Sequence, residues 1–172
     1  MKKLMLYVAS LATLLFTGCS KEQSELSIDD VQSQATISGK VIYNGGVYWD
    51  KKENKSVTVD GIGSDVTVVV KVNNKDYKGE NGTYQYFETK TDANGFFSIS
   101  IPVYNSINNA EVYNLPFYGK WQEVEYIDGE FKNKQYSNVL MKMTTNKVSA
   151  TEKEIKFVTI STTYDNEDQF KK

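Results

Sequence analysis

The sequence contains no histidine, and histidine is the commonest general base near neutral pH and the commonest metal ligand. It contains one cysteine, Cys19, so an intrachain disulfide and a zinc site built from several thiolates are both excluded. With these side chains missing, we expect no metal site and no cofactor. We also expect that the protein is not an enzyme.

Proline occurs twice, and the net charge of the 172 residues is only −2. A chain with nearly balanced charge has no general attraction to nucleic acid, so we expect no nucleic-acid partner. Tyrosine, in contrast, occurs twelve times and phenylalanine eight times. Aromatic and β-branched residues favour strands, and no segment has the sustained period of a capped helix. The composition predicts an all-β protein.

A long apolar run occurs only at the start of the chain. Met1-Lys2-Lys3 is basic, and residues 4–16 are apolar but too few to span a membrane, which is typical of a signal peptide. The run ends in Leu15-Phe16-Thr17-Gly18-Cys19, which resembles the lipobox of bacterial lipoproteins. The resemblance implies a signal peptide over residues 1–18 and a lipid on Cys19 that binds the membrane. A plain secretory signal with an incidental cysteine is the alternative.

The segment after the cysteine is polar, and residues 19–34 are predicted to be a lipid-anchored flexible tether. Ser20-Lys21-Glu22-Gln23-Ser24-Glu25 resembles the surface-export signal of Bacteroidota lipoproteins. This resemblance implies a lipid-anchored protein of the bacterial outer membrane that is displayed on the cell surface.

Alternation of apolar and polar residues predicts strands through the rest of the chain. The strongest pattern is residues 66–72, whose alternate valines are expected to point inward from a central strand. Residues 96–102 alternate in the same way, with the second, fourth and sixth residues on the expected buried face. We expect one mostly antiparallel β-sandwich domain over residues 35–164 and a loose charged tail over residues 165–172.

Glycine-containing segments mark the predicted turns. Asp92-Ala93-Asn94-Gly95 is predicted to close a tight hairpin, because Asp and Asn bond to nearby backbone and Gly95 can take a positive φ. Asn44-Gly45-Gly46 and Asp60-Gly61-Ile62-Gly63 are predicted to end strands, and Asp128-Gly129 is predicted to close a second hairpin.

Three segments together resemble the carboxypeptidase regulatory-like domains. They are Ile37-Ser38-Gly39-Lys40-Val41, Gly63-Ser64-Asp65-Val66-Thr67-Val68 and Thr91-Asp92-Ala93-Asn94-Gly95-Phe96-Phe97. Those domains are seven-stranded, transthyretin-like β-sandwiches, so the resemblance implies this fold for a domain that includes residues 35–102. Immunoglobulin-like sandwiches share such turns and remain the alternative topology.

Aromatic residues supply the candidate binding residues, since exposed Tyr and Trp are typical of contact surfaces, including sugar platforms. Tyr48 and Trp49 adjoin a polar segment over residues 50–56, and Tyr118 and Trp121 lie on later predicted strands. We predict that these four residues contribute to a binding surface. For Trp49 the sequence equally allows a packing role, in which the indole covers an open end of the sandwich.

The acidic residues Glu123, Glu125, Asp128 and Glu130 offer a catalytic alternative, because glycosidases use a pair of nearby carboxylates. Glu123 and Glu125, however, alternate with Val124 and Tyr126, which is typical of the solvated face of a strand. We therefore predict a non-enzymatic cell-envelope module that binds a glycan or an envelope protein. A structural subunit of a surface assembly, for example a fimbria-like one, is the alternative function.

We expect a Cys19→Ala variant to leave the membrane fraction, because burial of lipid chains provides about 0.8 kcal/mol for each CH₂ group. Cell fractionation followed by immunoblotting measures this, with Ser20→Ala as the control that keeps the cysteine. Continued membrane association of Cys19→Ala would refute the lipid anchor.

Overall fold

A computed structural model describes residues 33–170 of the protein. The predicted signal peptide, Cys19 and nearly all of the predicted tether lie outside the described residues. Within them, no helix is long and apolar enough to cross a membrane. The strands are β1 (Gln34–Asp50), β2 (Lys55–Ile62), β3 (Thr67–Asn73), β4 (Tyr84–Lys90), β5 (Phe96–Pro102), β6 (Ser106–Asn114), β7 (Phe117–Ile127), β8 (Glu130–Met141), β9 (Thr145–Thr151) and β10 (Ile155–Thr162).

These strands form two sheets, and the predicted all-β, mostly antiparallel sandwich is confirmed. The four-stranded sheet has the order β4-β3-β6-β9, and every pair in it is antiparallel. The six-stranded sheet contains β10, β1, β7 and β8, with β2 and β5 also paired to β1. Two short 3₁₀ helices, Asn74–Tyr77 and Glu167–Phe170, complete the described residues.

The longest strand, β1, changes partners along its 17 residues. Its first part lies between β5, which is antiparallel to it, and β10, which is parallel. Its second part pairs with β2 and, at Gly46, with β7. One strand therefore holds together both parts of the six-stranded sheet.

The core lies between the two sheets and follows the alternation of the sequence. The central position of β3 and the inward valines of residues 66–72 are confirmed. Each fully buried aliphatic side chain contributes about 1.5–3 kcal/mol to stability. The core includes Ile37, Val41, Val66, Val68, Val70, Val72, Phe97, Ile101, Val112 and Ile160.

The predicted turn at residues 92–95 is present, but it does not close a hairpin. Asp92 Oδ1 accepts hydrogen bonds from the N–H groups of Asn94 at 2.8 Å and Phe96 at 2.9 Å, and Gly95 has a φ of 79°. The strand before the turn pairs with β3, whereas the strand after it pairs with β1. The turn therefore takes the chain from one sheet to the other. The hydrogen bonds of the Asp92 side chain fix the reversal of the chain direction, but they do not determine that β5 pairs with β1.

The predicted turn at Asn44-Gly45-Gly46 is wrong, because this segment lies inside β1. The turn predicted at residues 60–63 begins later, because β2 continues to Ile62 and only Gly63 lies in the connection to β3. Asn44-Gly45-Gly46 forms a bulge in β1, where the register with β2 shifts. A Cβ on Gly46 would lie 1.9 Å from the carbonyl oxygen of Gln122 on β7. Gly61 lies within β2, and a Cβ there would lie 2.0 Å from the ring of Tyr43. These glycines permit close approach of a neighbouring strand or ring, which is a common reason for glycine inside a strand.

Later in the chain, the hairpin at Asp128-Gly129 is confirmed, with φ values of 54° and 83° that fit a type I′ turn between β7 and β8. The predicted loose tail packs along β8 as far as Phe170. The Gln169 side chain accepts from the N–H of Leu140 at 2.6 Å and donates to its carbonyl at 3.2 Å. The described part of the tail is therefore attached to this edge of the sheet.

We expect Gly95→Val to destabilise the protein by roughly 1–3 kcal/mol, because a β-branched residue is strained at positive φ. A Cβ at this position would also lie 2.8 Å from the carbonyl oxygen of Val41. Gly82→Val is the matched control, since Gly82 has a φ of 92° but no atom within 4 Å of the added Cβ. Urea unfolding should show a larger loss for Gly95→Val. Equal losses would mean that the contact with β1 is unimportant.

Candidate functional site

The first pair of predicted binding residues lies where two hairpins meet. Tyr48 and Trp49 are half-buried, and the Trp49 ring stacks on Phe131 of β8 with the centroids 4.0 Å apart. The backbone N–H of Trp49 donates to Asn133 Oδ1 at 2.6 Å, and Asn133 Nδ2 donates to the backbone carbonyl of Trp49 at 3.1 Å. Trp49 thus attaches the β1–β2 hairpin to the β7–β8 hairpin.

The second pair, Tyr118 and Trp121, lies on β7 in two different environments. Tyr118 is 70% exposed. Trp121 is half-buried, and its indole stacks on Phe170 at a centroid distance of 4.3 Å beside Tyr136. Among the described residues, no ring contact links this aromatic cluster to Trp49. Trp49 and Trp121 therefore pack in separate aromatic clusters, while Tyr118 is the most exposed of the four predicted residues.

Two carboxylates of the catalytic alternative, Glu123 and Glu125, share one cation. Lys134 Nζ lies 2.9 Å from Glu125 and 3.5 Å from Glu123, and the Tyr136 hydroxyl donates to Glu123. Hydrogen bonds with Tyr136 and Glu125 raise the pKa of Lys134, which therefore stays charged. In the part of the chain that the structure describes, no group of three or more Cys, Asp or Glu side chains is arranged to hold a metal.

The outer surface of the four-stranded sheet carries tyrosines that alternation alone does not single out. Tyr84 and Tyr86 project from β4 with 40% and 56% of their surface exposed, while Phe87 packs against the core. Two residues apart on a strand, the tyrosines are about 7 Å from each other. We call this outer surface the tyrosine face, which comprises Tyr84, Tyr86 and Tyr113 with Lys71, Glu111 and Lys147.

Strand register sets these side chains in rows. Tyr86 lies opposite Lys71, Lys71 opposite Glu111, and Glu111 opposite Lys147, so one row crosses all four strands. Tyr113 lies one row away, opposite Val69 of β3. An aromatic ring, two cations and a carboxylate therefore stand side by side on the solvent side of the sheet.

Lys71 is held in the middle of this row by its neighbours. Its Nζ lies 3.0 Å from Glu111 Oε2 and 4.1 Å from the centroid of the Tyr84 ring. The hydrogen bond to Glu111 raises the pKa of Lys71, and partial burial raises the pKa of the Tyr113 phenol. The face consequently presents an ammonium held beside a carboxylate, with a phenol ring next to them. Such groups suit a ligand that has both flat apolar surfaces and hydroxyl groups.

A different exposed patch lies on β10, at an end of the six-stranded sheet. Ile155 and Phe157 point outward with 72% and 64% of their surface exposed. Apolar side chains on a strand at the edge of a sheet favour pairing with another chain. This patch is the observation that favours the structural-subunit alternative.

Comparison with known proteins does not assign the chain to a family. No family model matches the sequence, and no curated protein matches it. One solved structure, of a proposed carbohydrate binding protein from Pseudomonas aeruginosa, aligns with 75% of this chain and 88% of its own. The identity is 11% and the TM-score 0.40, so no function follows from this likeness. The resemblance to carboxypeptidase regulatory-like domains stays a prediction.

We expect Trp49→Ala to destabilise the protein by about 1–3 kcal/mol, because it removes a half-buried ring stacked on Phe131. A double-mutant cycle with Phe131→Ala isolates the contact, and urea unfolding of the four proteins should give a coupling of about 0.5–1.5 kcal/mol. A coupling near zero would show that the stack does not join the hairpins and would return Trp49 to the candidate binding surface.

Proposed function

We propose that this protein is a non-enzymatic surface lipoprotein of the bacterial outer membrane that binds a glycan on its tyrosine face. The observation that carries the proposal is the row of Tyr86, Lys71 and Glu111 on the solvent side of the four-stranded sheet. The lipid anchor at Cys19 is predicted from the sequence. It would hold the domain next to the membrane surface without a membrane-spanning segment.

A glycan suits this face better than a protein partner does. Interfaces between proteins have an apolar centre from which charged residues are depleted. Here the centre of the face is the ion pair of Lys71 and Glu111, and the rings of Tyr84 and Tyr86 flank it. Sugars present C–H surfaces that pack on phenol rings and hydroxyls that bond to charged side chains, so both kinds of group on the face would be used.

The predicted anchor leaves the face accessible. Fifteen residues lead from Cys19 to Gln34, the first residue of β1. At about 3.3–3.6 Å for each extended residue, this segment reaches roughly 50 Å at most. A domain on such a tether can turn its four-stranded sheet towards glycans outside the cell.

We expect Tyr86→Ala to reduce glycan binding by tenfold or more, since losing about 1.4 kcal/mol of stacking has that effect. A glycan array with the purified full-length chain measures it, and thermal unfolding should change little because Tyr86 is largely exposed. Tyr118→Ala is the matched control, because it removes an exposed tyrosine from the other sheet. The sequence also predicts Tyr118 as a binding residue, so the two variants compare the two candidate surfaces.

Loss of binding in Tyr118→Ala but not in Tyr86→Ala would move the site to β7 and contradict the tyrosine face.

The structural alternative is tested on the same protein by sedimentation velocity. Self-association that Phe157→Lys abolishes, without any glycan binding, would identify a structural subunit instead.

A further inference from the structure

A small polar cavity lies beyond one end of the tyrosine face. It has a volume of about 230 Å³ and lies between the 3₁₀ helix Asn74–Tyr77 and the connection from β5 to β6. Sites that enclose a whole drug-sized ligand have about 300 Å³ or more, so this cavity suits a single small unit. Its lining is Lys75, Asp76, Lys78, Tyr104, Asn105, Ser106 and Asn108.

Cavity and face are connected through Asn73. This residue ends β3 opposite Tyr84, and its side chain caps the 3₁₀ helix by accepting the Lys75 N–H at 3.0 Å. On the other side, Asn108 near the start of β6 donates its N–H to Asp76 Oδ2 at 3.0 Å. A chain of sugar units on the face can therefore continue past Tyr84 into the cavity.

The charged side chains that line the cavity are two lysines and one aspartate. Among the described residues, the Lys75 ammonium has no hydrogen-bond or ion-pair partner. Lys78 Nζ lies 3.8 Å from the ring centroid of Tyr104 and donates one hydrogen bond to the Tyr104 hydroxyl. Two protons of the Lys78 ammonium group remain available to a ligand. The one carboxylate, on Asp76, already accepts from Asn108. Two ammonium groups against one carboxylate leave a net positive charge on the lining, which favours an anionic ligand.

We infer that the cavity binds a negatively charged sugar unit at the end of the glycan held on the tyrosine face, an assignment that rests on the proposed function. The carboxylate of a uronic acid, or a sulfate ester, accepts from Lys75 and Lys78. The sugar ring lies against the lining residues Tyr104 and Asn105. The tyrosine face supplies affinity for the chain, and the cavity supplies the preference for acidic over neutral glycans.

NMR titration of the full-length protein tests the cavity separately from the face. The probes are galacturonate, galactose, galactose 6-sulfate and inorganic sulfate. We expect galacturonate or galactose 6-sulfate to shift the amides of residues 75–78 and 105–108 in a saturable way, and galactose to bind at least tenfold more weakly. The lysine double variant Lys75→Gln/Lys78→Gln should lose about tenfold or more, because it removes charge-assisted hydrogen bonds. The Lys51→Gln/Lys52→Gln control removes the same charge from the exposed hairpin tip and should bind normally.

The two proposals fail in different ways. If Tyr86→Ala loses oligosaccharide binding but the lysine double variant still prefers acidic sugars, the glycan function stands and the inference about the cavity is wrong. Equal binding of galactose and galacturonate, or shifts with inorganic sulfate as large as with the acidic sugars, would also overturn it. If galacturonate occupies the cavity but Tyr86→Ala binds oligosaccharides normally, the cavity stands and the tyrosine face is wrong.

Discussion

The six-stranded sheet depends on the close approach of β1 and β7 at Gly46. Any side chain there would meet the carbonyl of Gln122, because a Cβ would lie 1.9 Å from that oxygen. The φ of 85° at Gly46 and the bulge beside it let one strand leave β5 and β10 and continue against β2 and β7. β8 pairs with β7, and the C-terminal segment attaches to β8. The backbone contact at Gly46 therefore joins this half of the molecule to β1, together with the contacts of Trp49 with Phe131 and Asn133.

Both tryptophans of the six-stranded sheet pack against other aromatic rings. Trp49 stacks on Phe131 where the hairpins cross, and Trp121 is covered by Phe170 from the end of the described chain. Small sandwiches with long hairpins need such ring contacts, since the hairpins extend beyond the core between the sheets. The four-stranded sheet has no such extension. Its outer tyrosines stay in solvent, which leaves them available for a ligand.

The charged side chains of the tyrosine face and of the cavity are arranged differently. On the tyrosine face the ammonium of Lys71 is held by Glu111, so it can orient a hydroxyl without requiring an anion. In the cavity beyond Asn73, the ammonium of Lys75 has no such partner within residues 33–170. A neutral chain along the sheet and an acidic unit at its end would satisfy both places. One glycan could thus use stacking for affinity and charge for selectivity.

Local patterns in the sequence determined the strand content, the inward valines of residues 66–72, the positive φ of Gly95 and the turn at Asp128-Gly129. These features depend on side-chain alternation and on glycine's freedom, which act over a few residues. Tertiary structure alone decided that Gly46 is a contact point and that Tyr86 is exposed while Trp49 is stacked. The reason is that exposure of an aromatic ring depends on which strands cover it, and those strands come from distant parts of the chain: Phe131 lies 82 positions after Trp49.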